Sequence, residues 1–275
     1  MKKCVKMFAV ILMAVGLLLT NTTTTSAQES NEFSVPLSDP GKRGKLKAQI
    51  NYGSVTVKGT ARKDILVKYS SDKDDDDDKD KTKDGLRRIG GGGMDLEVTE
   101  NGNTVTVHSG SWNNKLNLEI EVPSGMDLEV KTHNDGNLTV TNVQGVIEMT
   151  NHNGEISALN ISGSVVATTY NGEIKITFDK VTEGAPMSFT TYNGDVDISF
   201  PTTLKAALKL KTEQGDIYSD FNVDFKTSPP VKKQDTKAGV YKVVIDEWKR
   251  GEVNGGGPEI TVKNYNGDIF IRKSK

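Results

Sequence analysis

Near-copies of one octapeptide hold the residues that could do chemistry here. They are TYNGEIKI at 169–176, TYNGDVDI at 191–198 and NYNGDIFI at 264–271. Each brings a phenol, an amide and a carboxylate together: Tyr170, Tyr192 and Tyr265; Asn171, Asn193 and Asn266; Glu173, Asp195 and Asp268. A relative at 151–156 puts His152 before Asn153-Gly154 and Glu155, and EQGDI at 213–217 keeps Gly215-Asp216 without the asparagine. Carboxylates suit general acid–base work when two of them flank a bond in a cleft. They also suit calcium, which takes oxygen ligands. Tyrosine, apolar in the ring and polar at the tip, suits a sugar ring.

The pattern itself weighs against catalysis. These acids recur with the repeat, as a scaffold feature does, whereas a catalytic set should break the symmetry. The histidines are His108, His133 and His152, and no Ser-His-Asp signature, His-Glu-x-x-His or phosphate loop accompanies them. No catalytic residue and no metal ligand is therefore assigned. Calcium is the one cofactor the acidic column would suit, although the glycine-rich calcium nonapeptide is absent. The outward residues Tyr170, Tyr192, Tyr265, Glu173, Asp195 and Asp268 are the candidate binding set. The tyrosines could stack on one another, shield the corner, or offer a flat face to a sugar. Trp112 is expected to cover an edge of the core, with an exposed contact as the alternative.

The elements that must position these residues are set by glycine spacing. Gly136, Gly145, Gly154, Gly163 and Gly172 stand nine residues apart. Each is followed two places on by a branched apolar residue: Leu138, Ile147, Ile156, Val165 and Ile174. The steps then lengthen, and NYNG returns only at Gly267, after an inserted segment. Such a beat implies stacked equivalent units, with glycine at tight corners. The turns are Asn153-Gly154, Asn171-Gly172, Asn193-Gly194 and Asn266-Gly267. An asparagine ladder down that column would stabilise it through side-chain hydrogen bonds. Strand alternation is plain in LNLEIEV at 116–122, with its leucines, isoleucine and valine on one face. The fold expected is all-β, a right-handed β-solenoid, with an antiparallel sandwich of Asn-Gly hairpins as the alternative.

The ends and composition bound the rest. Lys2, Lys3 and Lys6, a short apolar run and Thr25-Ser26-Ala27 read as a signal peptide over 1–27, too short in its apolar part for a comfortable membrane span. Its removal takes Cys4, the single cysteine, and moves the formal net charge from −2 to −5. A cysteine-free, mildly acidic exported protein must hold itself together by core and backbone pairing, and it is a poor nucleic-acid binder. The segment 28–275 is expected to be one repetitive domain, most regular over 116–221. A charged, glycine-rich stretch at 70–93 is too poor in apolar residues to pack, so a disordered loop is expected there, with the aspartates at 74–78 a solvated cluster. A second loop or an extension is expected over 225–239.

The cadence EVPSGMDLEVKT…GNLTV…GVIEMTNHNGEISALNISGSVVATTYNGEIKITF, running from Leu116 to about Phe221, resembles the bacterial "putative adhesin" β-strand-repeat domains, related in style to autotransporter-head (GIN-type) adhesins. The resemblance implies a β-solenoid or similar repetitive sheet in an exported protein. It carries no catalytic set. The function expected is a non-enzymatic adhesin-like protein in the periplasm, at the cell surface or secreted. Its repetitive face would contact a glycan, an envelope polymer or an envelope protein. A carbohydrate-active β-helix enzyme and an envelope structural or signalling accessory are the alternatives.

Overall fold

The computed structural model describes residues 31–71, 95–182, 184–226 and 248–274, with strand backbone alone at 82–83, 86–87, 231–235 and 242–246. The expected signal peptide lies outside the described residues, as does most of the stretch 70–93. One expected boundary is corrected, and one alternative is met. Ser70 and Ser71 continue the strand Asp64–Ser71. In the segment expected as a loop or an extension, 231–235 pairs antiparallel with 242–246, as an extension would. Among the described residues no helix occurs, and no helix is long and apolar enough to cross a membrane.

Alternating apolar residues make strands with one buried side. In Lys45–Ile50, Leu46, Ala48 and Ile50 are buried while Lys47 and Gln49 are exposed. Twenty strands join in one hydrogen-bonded sheet, which winds as a β-solenoid. Each coil lays one strand on each of two faces, and equivalent strands of successive coils pair in parallel. On the first face the order is Thr104–Ser109, Lys45–Ile50, Asp127–Lys131, Gln144–Thr150, 162–168, Met187–Thr190, Glu259–Lys263 and Ala206–Lys211. On the second it is Leu116–Pro123, Val55–Thr60, Leu138–Thr141, 156–161, Ile174–Val181, Val196–Phe200, Ile269–Lys273 and Ile217–Ser219. Between the faces lies one apolar core, in which Ile174 and Ile176 point inward as expected and Phe178 stacks on Phe200 at 5.1 Å.

The order of coils differs from the order of the chain at both ends. The coil holding NYNGDIFI, last in sequence, sits between the coil holding TYNGDVDI and the one holding EQGDI. Likewise the coil of Lys45–Ile50 and Val55–Thr60 sits between two coils that follow it in sequence. The copy that carries Gln214 where the others carry asparagine stands outermost, with Gln214 bridged to Asn266.

Antiparallel strands, the pairing a sandwich would use throughout, occur within the main sheet only at the ends of the stack. Glu97–Asn101, Asp64–Ser71 and Glu32–Pro36 close one end. Lys249–Val253 and Asp224–Lys226 close the first face at the other. A solenoid needs such caps, because its last coil otherwise leaves backbone groups free to pair with another chain.

The nine-residue beat resolves into two glycine columns, one at each corner. A Cβ on Gly172 would lie 2.1 Å from the Gly154 carbonyl oxygen, and one on Gly154 lies 2.1 Å from that of Gly136. At the opposite corner, a Cβ on Gly163 would lie 2.0 Å from the Gly145 oxygen. The backbones approach so closely that no side chain fits between them. Gly194 carries both constraints, a φ of +128° and a Cβ position 2.4 Å from the Gly172 oxygen. Gly102, in a hairpin, has a φ of +55° and open space around it. We expect Gly194→Ala to cost about 3 kcal/mol or more, from strain and backbone displacement together. Gly102→Ala should cost about 1 kcal/mol, from strain alone. Urea denaturation of the two variants checks the contrast.

Candidate functional site

At the Asn-Gly corner, side chains from successive coils form parallel columns. The column preceding the glycine is a hydrogen-bonded amide ladder. Asn153 donates to Asn134 Oδ1 at 3.0 Å, Asn171 to Asn153 at 2.8 Å, Asn193 to Asn171 at 2.7 Å and Asn266 to Asn193 at 2.8 Å. The expected turn asparagines are thus brought together, and Asn134 joins them. It escapes the regular pattern because Asp135, with φ +46°, is inserted before Gly136. The opposite corner holds a shorter counterpart, in which Asn160 donates to Asn142 at 3.0 Å.

A buried column lies beneath. Thr169 donates to the Gly154 carbonyl at 3.1 Å, Thr191 to Gly172 at 2.9 Å and Asn264 to Gly194 at 2.9 Å. Asn151 does the same to Gly136 at 2.9 Å and Thr132 to Gly53 at 2.8 Å. These side chains are nearly inaccessible to solvent. They supply partners for corner carbonyls that burial would otherwise leave unsatisfied. Sequence reasoning missed this column. Its signal was the threonine or asparagine opening each copy.

The aromatic column is a continuous stack. Ring centroids lie 4.6 Å apart for His133–His152, 5.2 Å for His152–Tyr170, 4.8 Å for Tyr170–Tyr192 and 4.6 Å for Tyr192–Tyr265, every pair within 12° of parallel. Trp112 meets His133 edge-on at 5.1 Å. It therefore closes the end of this stack instead of covering a core edge, and it is 55 % exposed. The stacking settles what the tyrosines offer. Facing rings of neighbouring coils occupy one another's faces, the stacking alternative, so no flat face opens to a sugar between rungs. Ring edges and hydroxyls remain outward. Burial, then the neighbouring Tyr265 and Tyr170, raises the Tyr192 phenol above its ordinary value, so it keeps its proton.

The acidic column runs beside the rings. Asp195 Oδ1 accepts the Asp268 amide at 2.8 Å, and Asp268 Oδ1 accepts the Asp216 amide at 2.8 Å. Each bond replaces part of the repulsion between like charges with attraction to a backbone N–H. Earlier in the column Asn137 Oδ1 takes the Glu155 amide at 2.9 Å. Glu173 lies between Glu155 and Asp195. Burial, then the charge of Glu155, raises its carboxyl above the usual value despite Lys175. Among the described residues, no group of three or more His, Cys, Asp or Glu is placed to hold a metal ion. On the first face the opposite arrangement occurs: Lys131, then Lys45, holds Glu129 down to about 2.

A second aromatic cluster went unforeseen. Tyr218 stacks on Phe270 at 5.2 Å, and Arg272 lies over Phe270 at 4.8 Å while its Nε donates to Asp197 at 2.8 Å. These side chains occupy outward positions of adjacent strands on the second face. The outward aromatics of DIYSD and DIFIR were the signal for them.

Two outcomes test this account. Asn171→Ala leaves Asn153 Oδ1 and Asn193 Nδ2 without their ladder partners at an exposed corner, so a loss of about 1 kcal/mol is expected in chemical denaturation. Because the Glu173 carboxyl is raised, the native state binds its proton more tightly than the unfolded chain. That contribution falls as pH rises from the ordinary carboxylate range through the raised value. Glu173→Gln should therefore be more stable than the parent at neutral pH, with the advantage vanishing in acid. Denaturation midpoints measured across pH check the sign.

Residues 144–272 match the family model described as Toastrack DUF4097. No curated protein matches the chain. Two solved structures are similar at low identity. One, titled a "putative cell adhesion protein" from Clostridium sporogenes, is 11% identical with a TM-score of 0.42, over 90% of this chain and 100% of that one. The other, a "putative adhesin" from Bacteroides fragilis, is 10% identical with a TM-score of 0.32, over 90% of this chain and 98% of that one. Likeness this distant says nothing of ligand or activity. The family match spans the coils from Gln144 onward, including the intercalated NYNG coil and the outermost EQGD coil, and over this part the chain is similar to the Toastrack DUF4097 family.

Proposed function

We propose that this is an exported, non-enzymatic, adhesin-like protein whose Asn-Gly corner binds an extended glycan or related envelope polymer. The observation that carries this reading is the pairing of two rows along one exposed corner. Tyr170, Tyr192 and Tyr265 present hydroxyls and ring edges at centroid spacings of 4.8 and 4.6 Å, beside the carboxylates of Glu173, Asp195 and Asp268. A chain of hexoses in extended linkage repeats its hydroxyls on a similar scale. Phenols donate to such hydroxyls and carboxylates accept from them, so one row complements the other. Recognition runs along hydroxyls and edges, because the ring faces between rungs are shut. Binding of this kind is spread over rungs, with each adding a little.

The recurrence of the acids favours binding over turnover, since neighbours in a column are alike while an acid and a base must differ. A protein ligand remains an outcome of the test.

The experiment incubates purified protein with a panel of envelope, host and plant polysaccharides, with calcium and with chelator. Retained protein and released reducing or unsaturated ends are both read. We expect retention without product. Tyr170→Phe, Tyr192→Phe and Tyr265→Phe keep the stack and remove one hydroxyl each. Each should cost about 1 kcal/mol of binding, and the three together roughly a hundredfold in affinity. Product release would overturn the reading in favour of an enzyme. Absence of retention on every polymer would overturn the glycan and turn the search to envelope proteins.

A further inference from the structure

The geometry points to the tyrosine row as a site of oxidative cross-linking, in which Tyr192 couples to Tyr170 or Tyr265 and staples neighbouring coils. This stands apart from the binding reading, since it needs no ligand at the corner.

Three observations carry it. First, coupling two tyrosines needs their rings side by side. Tyr170, Tyr192 and Tyr265 are stacked at 4.8 and 4.6 Å, with 4° between planes in each pair. Parallel, in-register rings set the carbons ortho to one hydroxyl against those ortho to the next. Among the described residues the other tyrosines lack such a partner. Tyr69 packs on Phe33, Tyr218 stacks on Phe270, and Tyr52 faces Asn134 across its bridge. Second, the rings are open to an oxidant. Tyr170 is 45 % exposed, Tyr192 38 % and Tyr265 37 %. Side chains this exposed have the freedom to close the remaining gap. Third, the staple falls where the fold has use for one. Tyr265 belongs to the coil that arrives last in sequence and is intercalated between earlier coils. A bond from Tyr192 to Tyr265 closes a loop of 73 residues, which restricts the unfolded chain as a disulfide would. The chain has a single cysteine, Cys4, so no intramolecular disulfide can do this.

The step requires a one-electron oxidant, here a haem peroxidase acting with hydrogen peroxide. Each phenol gives up one electron and one proton, leaving a phenoxyl radical. The two radicals join through ring carbons ortho to oxygen, forming one carbon–carbon bond. The hydrogens on those carbons then leave as protons while both oxygens are reprotonated, restoring the aromatic rings. Two electrons and two protons are released in all, and they reduce one peroxide to two waters.

The test treats dilute full-length protein with peroxidase and limiting hydrogen peroxide, then maps coupled peptides by mass spectrometry alongside the fluorescence of dityrosine. Intrachain links Tyr170–Tyr192 and Tyr192–Tyr265 are expected. Tyr192→Phe keeps the ring stack and should abolish both, because Tyr170 and Tyr265 are then two rungs apart. Tyr265→Phe should abolish one and keep the other. The cross-linked parent should unfold at higher urea than the untreated protein, and treated Tyr192→Phe should show no such shift. Coupling centred on Tyr52, Tyr69 or Tyr218, links found only between chains, or an intrachain product indifferent to Tyr192→Phe would each overturn the proposal.

Discussion

Close approach of one coil's corner to the next governs this molecule. Where a Cβ on Gly172 would sit 2.1 Å from the Gly154 carbonyl oxygen, the two backbones are as near as hydrogen bonding allows. That contact locks the register, since a slip would drive a side chain into backbone. Once register is locked, each residue stands over its equivalent, and whatever is written in one copy is repeated along a line. Gly154 N–H bonds the Asn171 carbonyl at 2.7 Å and Gly172 N–H that of Asn193 at 2.8 Å, so the corner backbone is paired as fully as the strands.

Columns of like residues are energetically unequal. Asparagine is self-complementary, because each amide carries both a donor and an acceptor, and its ladder closes with bonds of 2.7 to 3.0 Å. Aromatic rings stack on their own kind. Carboxylates repel their own kind, by roughly 1 kcal/mol per pair at rung spacing even in water's dielectric. The protein answers with geometry at one end of the acidic column, where the shorter aspartates reach back to bind neighbouring amides. At Glu173 burial comes first and the charge of Glu155 second, and together they leave a carboxyl that holds its proton more readily. The column is thus a cost carried on a scaffold that asparagine and glycine stabilise. The proposed polymer reading gives that cost a use, because charges held at fixed intervals complement a ligand of matching repeat.

Stacking also limits what the aromatic row can do. A ring that lends its face to its neighbours has only its edge and hydroxyl left for solvent. Exposure alone would suggest a sugar platform, yet the 4° angles between rings exclude one along the row. The same closeness makes the row reactive toward itself.

Much of this was legible in the sequence. The glycine beat, the apolar echo two places later and the alternation of LNLEIEV specified strands, corners and an in-register stack, since each follows from local sterics and side-chain period. The columns of asparagine, tyrosine and acid followed from the same repeat. The identity of neighbours did not. Which coil lies beside which depends on pairing between segments far apart in the chain, so only the tertiary structure placed NYNGDIFI between TYNGDVDI and EQGDI. Trp112 and His133 entered the aromatic stack for a similar reason, because their copies are too degenerate to align and only the register of Asp127–Lys131 against Gln144–Thr150 brings His133 under His152. Sequence by itself determined the repeating unit, because a corner is a local event. Tertiary structure decided the order of the units and which faces of their side chains stay open, because those depend on what the next coil presents.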